Sequence, residues 1–225
     1  MIDIIHIDRN IVAVKKPVGT PSQPDPTGAE DAMTLTSAAL ASRGEPDKLW
    51  LVHRLDRVVG GILVFARNKK AAAGLSELFA AHSLEKCYLA VTEGRAEEGE
   101  LVDFIYKDSA KSKAFIVARS RTGVKEARLV SRALSCAETS AGVRTLAEVK
   151  LLTGRFHQIR AQLSSRGTPL VGDGKYGSRD NGAASPALYA HRLAFTLDGR
   201  SYELKSAPPV LDYPWSLFDF TEILK

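Results

Sequence analysis

Short apolar runs bounded by turn residues dominate this chain, with helical spacing in only three places. Ile11-Val12-Ala13-Val14 reads as a buried strand closed by Pro17 and Gly19, and the turn-rich segment from Pro21 to Gly28 predicts a loop. Leu35, Ala38, Ala39 and Leu40 favour a short helix over Met33 to Ser42, ended by Gly44-Glu45-Pro46. Ile62 to Ala66 is a continuous apolar strand. Lys70 to His82 then carries Leu75, Leu78 and Phe79 at helical steps. Cys87 to Val91 returns to strand, and Leu101 to Tyr106, Ala114 to Ala118, Ala127 to Leu134 and Arg144 to Leu152 continue the series. Between Gly154 and Arg166, the positions of Phe156, Ile159 and Leu163 predict a helix that Gly167 stops. Strands at Leu188 to Leu197 and Ser201 to Lys205 close the chain before Pro208-Pro209.

Strands outnumber helices and are joined mostly by short turns. The predicted class is α+β, a mixed and mostly antiparallel sheet with a few packed helices. No internal repeat, coiled coil or linker interrupts the 225 residues, so a single domain over 1–225 is expected. The 44% hydrophobic content can supply its core.

Nothing approaches the roughly 20 apolar residues of a membrane span, and the first residues lack the basic and apolar regions of a secretion signal. A cytoplasmic protein without a membrane partner is expected. Cys87 and Cys136 lie far apart with no CxxC neighbour, and the five histidines form no HExxH pattern, so no metal is expected. A net charge of +5 and a pI near 9.2 suit a polyanionic partner without requiring one.

The chemistry concentrates in two places. His53-Arg54-Leu55-Asp56-Arg57 sets one carboxylate between two arginines just before the apolar run, a setting that keeps Asp56 ionised. About a hundred residues later, Gly154-Arg155-Phe156-His157-Gln158-Ile159-Arg160 crowds donors at the expected helix start, where the dipole adds positive potential. Taken singly, the first reads sooner as a salt-bridged structural loop, and the second equally as a solvated helix turn or an anion site.

Together with Lys16-Pro17-Val18-Gly19, with Lys86-Cys87-Tyr88-Leu89-Ala90-Val91 and Gly94, and with Pro169-Leu170-Val171-Gly172-Asp173-Gly174-Lys175-Tyr176-Gly177, these segments resemble the RluA branch of the pseudouridine synthases. Ala190-His191-Arg192-Leu193-Ala194-Phe195 is similar to the late strand of that family. The resemblance implies an RNA-modifying isomerase acting on uridine in ribosomal or transfer RNA, with no cofactor and no appended RNA-binding domain. It implies a monomeric chain. By the same resemblance Asp56 is the catalytic carboxylate, Arg155 its basic partner and Tyr88 the aromatic residue that stacks on the target base. Arg54 matches the residue that enters the space left by a flipped nucleotide. His53, Lys16, Gln158 and Arg160 are expected to support the pocket or meet RNA phosphates.

Two departures stand out. Val59-Gly60-Gly61 replaces the family's Thr-Ser-Gly, and Phe156 replaces a small hydroxyl residue. They keep open a second reading, a non-catalytic RNA-binding protein on the same fold. A retaining glycoside hydrolase would need a second carboxylate about 5 Å from the first, and none accompanies Asp56 in these motifs.

Overall fold

The computed structural model describes residues 2–221 and 223. In chain order its elements are β1 (Asp3–Ile7), β2 (Ile11–Lys16), α1 (Ala32–Ala41), β3 (Trp50–Leu51), β4 (Gly60–Ala66), α2 (Lys69–Ala80) and β5 (Glu85–Glu93). There follow β6 (Gly99–Asp108), β7 (Lys113–Val117), β8 (Val124–Thr139), β9 (Gly142–Leu151), α3 (Gln158–Ser165), β10 (Leu188–Leu197) and β11 (Arg200–Lys205). They gather into two units: residues up to Lys86 with Ala190–Ser206, and Cys87–Tyr189 with the stretch from Ala207 onward.

In the first unit the strands run in the order β1, β2, β4, β10, with β11 beside β10 and β3 beside β4. The β1–β2, β2–β4, β3–β4 and β10–β11 pairs are antiparallel. Every residue of β4 is buried, which is why it reads as an unbroken apolar run rather than an alternating one. Ile62, Val64 and Ala66 join Ala71 and Leu75 of α2, Phe195 of β10 and Tyr202 of β11 in one core; Leu63 and Phe65 point the other way and are also sealed from solvent. Helix α2 opens on Asn68, whose side chain accepts from the Ala71 N–H at 2.8 Å, and α1 on Asp31, which accepts from Thr34 N–H at 3.0 Å. Each such cap contributes about 1 kcal/mol. Both helices fall within two residues of the ranges that periodicity gave.

The second unit orders its strands β5, β9, β8, β6, β7. The β6–β7, β6–β8 and β8–β9 pairs are antiparallel, and β8–β9 is a hairpin with a register shift between Ala133 and Ser135. Helix α3 sets Ala161 against Ile105, Ala114 and Ala127. A second cluster joins Leu89, Val91 and Leu146 to Trp215, Phe218 and Phe220, giving the segment after Pro208-Pro209 a place in the core.

The helix predicted from Gly154 begins only at Gln158, because His157 takes a left-handed backbone conformation at φ 50° and Arg155 and Phe156 stay in the turn before it. Apolar spacing through Phe156 mimics a helical turn that the backbone does not make.

Candidate active site

The loop between β3 and β4 carries Asp56, and the sequence around it is organised to hold that loop still. Pairing of β3 with β4 stops at Leu51 opposite Phe65. The next inward backbone donor, Val64 N–H, is met instead by His53 Nε2 at 3.0 Å. An imidazole thus replaces a strand carbonyl and lets the chain turn away into the loop. The ring stacks on Phe79 at 4.5 Å, and burial, with the Lys86 charge, pushes its pKa down to about 3, so it stays neutral and its proton sits on Nδ1.

Beyond it, Leu55 is pinned through both backbone groups to Ser22 Oγ, its C=O accepting at 3.0 Å and its N–H donating at 3.1 Å. Asp56 opens a tight turn in which Val59 N–H donates to its carbonyl at 3.0 Å. Lys16, only 1% exposed, donates to the carbonyls of Pro17, Thr20 and Arg57 at 2.9, 2.7 and 3.3 Å. Burial brings the Lys16 pKa down to about 8; the charge of Asp56 opposes that fall, and Arg57 adds to it. Arg57 answers with Nε to the Gly19 carbonyl at 2.9 Å. Arg54 is exposed and has no hydrogen-bond or ion-pair partner among the described residues.

Gly61, which begins the buried strand, has φ 116°, and a Cβ there would lie 2.3 Å from the Ala190 carbonyl oxygen. Only glycine fits. Val59, in contrast, is a buried side chain whose backbone closes the Asp56 turn, so the departure at 59 and 60 alters side chains without removing the turn.

In the second unit Tyr88 lies on β5 between buried Cys87 and Leu89, itself half-buried. The loop from β9 to α3 carries Arg155 and is tied down by a neutral amide. Gln158 Oε1 accepts from Thr153 Oγ1 at 2.8 Å and from Arg155 N–H at 2.9 Å, while its Nε2 donates to the Arg128 carbonyl of β8 at 3.0 Å. Arg155 Nε donates to the neighbouring Glu126 carbonyl at 2.8 Å; its guanidinium takes part in no ion pair among the described residues.

Phe156 stacks on His157 at 3.8 Å with Lys107 Nζ 4.8 Å from its ring centre. His157 Nδ1 lies 3.0 Å from the Tyr176 hydroxyl, which accepts from Ala114 N–H at 2.7 Å. Burial and then the cations Arg160, Lys175 and Lys107 push the His157 pKa down to about 3. Arg160 is buried in a two-pronged ion pair with Asp173, at 2.7 and 2.8 Å, and lies over the Tyr176 ring.

Of the eight residues singled out from sequence, Lys16, His53, Gln158 and Arg160 thus spend their polar atoms on the scaffold, whereas Arg54 reaches solvent. Sequence reading missed Ser22, which fixes Leu55 beside Asp56, and Thr153 and Asp173, which hold the candidates Gln158 and Arg160 directly. The signal available for Asp173 was its place two residues before Lys175-Tyr176 in a motif already recognised.

Residues 10–165 match the family model described as RNA pseudouridylate synthase. The chain belongs to this family. It is 32% identical to an uncharacterized RNA pseudouridine synthase of Bacillus subtilis, YhcT, over 85% of this chain and 63% of that protein. To ribosomal large subunit pseudouridine synthase C of Rickettsia bellii it is 30% identical over 84% of this chain and 61% of that one. To tRNA pseudouridine synthase C of Vibrio cholerae it is 29% identical over 95% and 88%. The chain therefore spans less than two thirds of the length of the first two. Among solved structures, the human RNA pseudouridylate synthase domain containing 4 superimposes with a TM-score of 0.75 at 25% identity, covering 93% of this chain and 89% of that one. The α+β class, a mostly antiparallel sheet with three helices among the described residues, is thereby that of a pseudouridine synthase. No helix among the described residues is long and apolar enough to cross a membrane.

Proposed function

We propose that this chain is an RNA pseudouridine synthase that isomerises uridine in structured ribosomal or transfer RNA, with Asp56 as its catalytic carboxylate. The observation that carries the reading is the family match over residues 10–165, a stretch that includes Asp56, Tyr88 and Arg155. Relatives named for both ribosomal and transfer RNA support the breadth of the substrate class.

The reaction breaks the N1–C1′ bond, turns the uracil and joins C5 to C1′; C5 gives up a proton and N1 takes one, so no atom is gained or lost. It needs a fixed carboxylate, a surface for the loosened base and exclusion of water. The Asp56 turn, pinned at Leu55 by Ser22 and at Arg57 by Lys16, suits the first need. Tyr88 supplies a ring for the base, and Arg155 is the assisting cation. Arg54, exposed and without a protein partner among the described residues, suits insertion into the stack that a flipped nucleotide leaves. The same reading takes residues 1–225 as a single catalytic domain, monomeric, cytoplasmic and with no cofactor.

Unmodified ribosomal and transfer RNA transcripts are to be incubated with the protein and probed for the alkali-resistant carbodiimide adducts that pseudouridine, unlike uridine, retains. Adducts are expected with the parent chain and a loss of roughly 10³-fold or more with Asp56→Ala, while RNA binding in a gel-shift assay persists. A parent chain that binds both RNAs but forms no adduct would establish the non-catalytic reading that the departures at Val59, Gly60 and Phe156 kept open.

A further inference from the structure

Strand pairing in the second unit turns two kinds of side chain to opposite sides of β6 and β7. Ile105, Ala114 and Ala127 face Ala161 in the core. Directly paired residues share a face and successive residues alternate. Tyr106, paired with Phe115 and with Val124, therefore stands on the other side, as does Phe104, paired with Val117. This side is not sealed. Tyr106 is 36% exposed, Val102 farther along the same side of β6 51%, and Phe104, Phe115, Val117 and Val124 are only partly buried.

Cations already stand over its rings: Lys111 and Lys113 Nζ at 5.9 and 5.6 Å from the Phe115 centre, and the Arg121 guanidinium at 5.8 Å from that of Tyr106. On this hairpin stand Lys111, Lys113, Arg119 and Arg121 against two acids, Asp108 and Glu126, the latter paired with Phe104; Lys107 and Lys125, paired with Ala114 and Ile105, belong to the core side. β7 is the last strand in the order of its unit, so the face is bordered by an open edge.

Aromatic side chains on an open sheet face, ringed by lysine and arginine, match what an unpaired nucleic-acid strand offers: flat bases to stack and phosphates to neutralise. We infer that this face of β6, β7 and β8 binds unpaired bases of the RNA substrate, a second contact additional to the target uridine. A base laid on Phe115 or Tyr106 covers the exposed ring, and the cations now over those rings turn to the flanking phosphates. An apolar protein partner would bury the cations at Lys111, Lys113 and Arg121 without a matching acid for each, which is the weaker fit. The inference rests on the RNA reading of the family, and it is measured apart from turnover.

The test is a fluorescence-anisotropy titration of the full chain with a short labelled oligoadenylate and with a blunt RNA duplex, over a series of salt concentrations. Tyr106→Ala combined with Phe115→Ala is expected to weaken oligoadenylate binding about tenfold or more, as loss of one or two stacked bases does, and the duplex less. Tyr106→Phe, which keeps the ring, should bind as the parent does. Lys111→Ala with Arg121→Ala, both at exposed positions, should weaken binding and flatten its salt dependence. These variants decide the matter if the ring variant fails to fold by circular dichroism.

Unchanged affinity and salt slope in a folded ring variant would overturn the inference, as would a ring variant whose sole change is a smaller assembly on size-exclusion chromatography. A chain that forms no pseudouridine yet loses oligoadenylate binding through these rings sinks the proposed activity and leaves this contact standing. Adduct formation with unaffected ring variants does the reverse.

Discussion

Against the loop before β4 a buried ammonium, that of Lys16 at the end of β2, gathers the carbonyls of Pro17, Thr20 and Arg57; against the loop before α3 a neutral amide, that of Gln158 at the start of the helix, ties Thr153, Arg155 and the carbonyl of Arg128. Both devices fix a candidate catalytic residue by holding the backbone beside it. They differ in charge. The first holds its ammonium with carbonyl dipoles and the field of Asp56, while the buried guanidinium near the second, Arg160, is neutralised outright by Asp173. A loop held by a titratable cation responds to alkaline pH, and one held by an amide and a closed ion pair does not. The same chain therefore carries one alkali-sensitive and one alkali-indifferent way of positioning a residue.

Four measurements would break or sharpen this contrast. Asp173→Ala removes one member of a buried pair and strands Arg160; it should cost about 3–5 kcal/mol in urea denaturation at neutral pH. A loss near zero would mean that the guanidinium finds water, and that α3 is not held by a closed pair. Gln158→Leu takes the shared acceptor from Arg155 N–H and Thr153 Oγ1, while the Arg128 carbonyl keeps the Leu152 and Thr153 N–H donors; the cost should be about 1–3 kcal/mol. In the RNA assay it should lower kcat more than it raises KM, with the shape of the pH profile kept. A variant that changed KM alone would show that the loop need not be fixed for turnover.

His53→Phe keeps the stack on Phe79 but leaves Val64 N–H unpaired, for about 1–3 kcal/mol at pH 7. The folded pKa of about 3 lies below the unfolded value near 6.5, so the unfolded chain takes up the proton first as pH falls. The stability supplied by the neutral ring is complete above about 6.5 and drains away toward 3. The gap between parent and variant should narrow over that window, and parallel curves would refute the assignment. His157 acts in the same direction in the other unit, so acid sensitivity is common to both loops.

The smallest effect separates them at the alkaline end. Folded Lys16 releases its proton at about 8 and the unfolded chain near 10.4, so between these values the unfolded state binds more protons and stability rises with pH. Lys16→Met should lose this upward slope, read as the parent-minus-variant difference in urea midpoint. An equal slope in both chains would move the titration to another group.

Much of the fold was legible because burial wrote it into the sequence. β4 is apolar along its length, β5 and β10 carry the apolar stretches Leu89-Ala90-Val91 and Leu193-Ala194-Phe195, and α2 repeats Leu75, Leu78 and Phe79 at helical steps, so local pattern and tertiary environment agree. β1 escaped notice because its five residues are partly exposed and mix Asp3 and His6 with isoleucine. β8 runs well past Ala127 to Leu134 because its ends are polar and held by the ladders to β6 and β9 rather than by core contacts. The C-terminal aromatics Trp215, Phe218 and Phe220 have no period that marks them as core.

For the candidate site, motif order pointed to the right loops but not to the direction of the side chains. Lys16 and Arg160 look like phosphate ligands in a string of letters. That their charges face inward depends on carbonyls of residues one to forty-one positions away and on Asp173, a relation no local window contains.

Gly61 sets the terms on which this loop can vary. A library randomising residues 57 to 62 should return glycine alone at 61, since any Cβ would strike the Ala190 backbone, and apolar side chains at 62 and 59, which are 2% exposed. Residues 57 and 58, more open to solvent, should accept many replacements. The path open to natural variation beside Asp56 is thus only a few residues wide, and Val59-Gly60 lies on it.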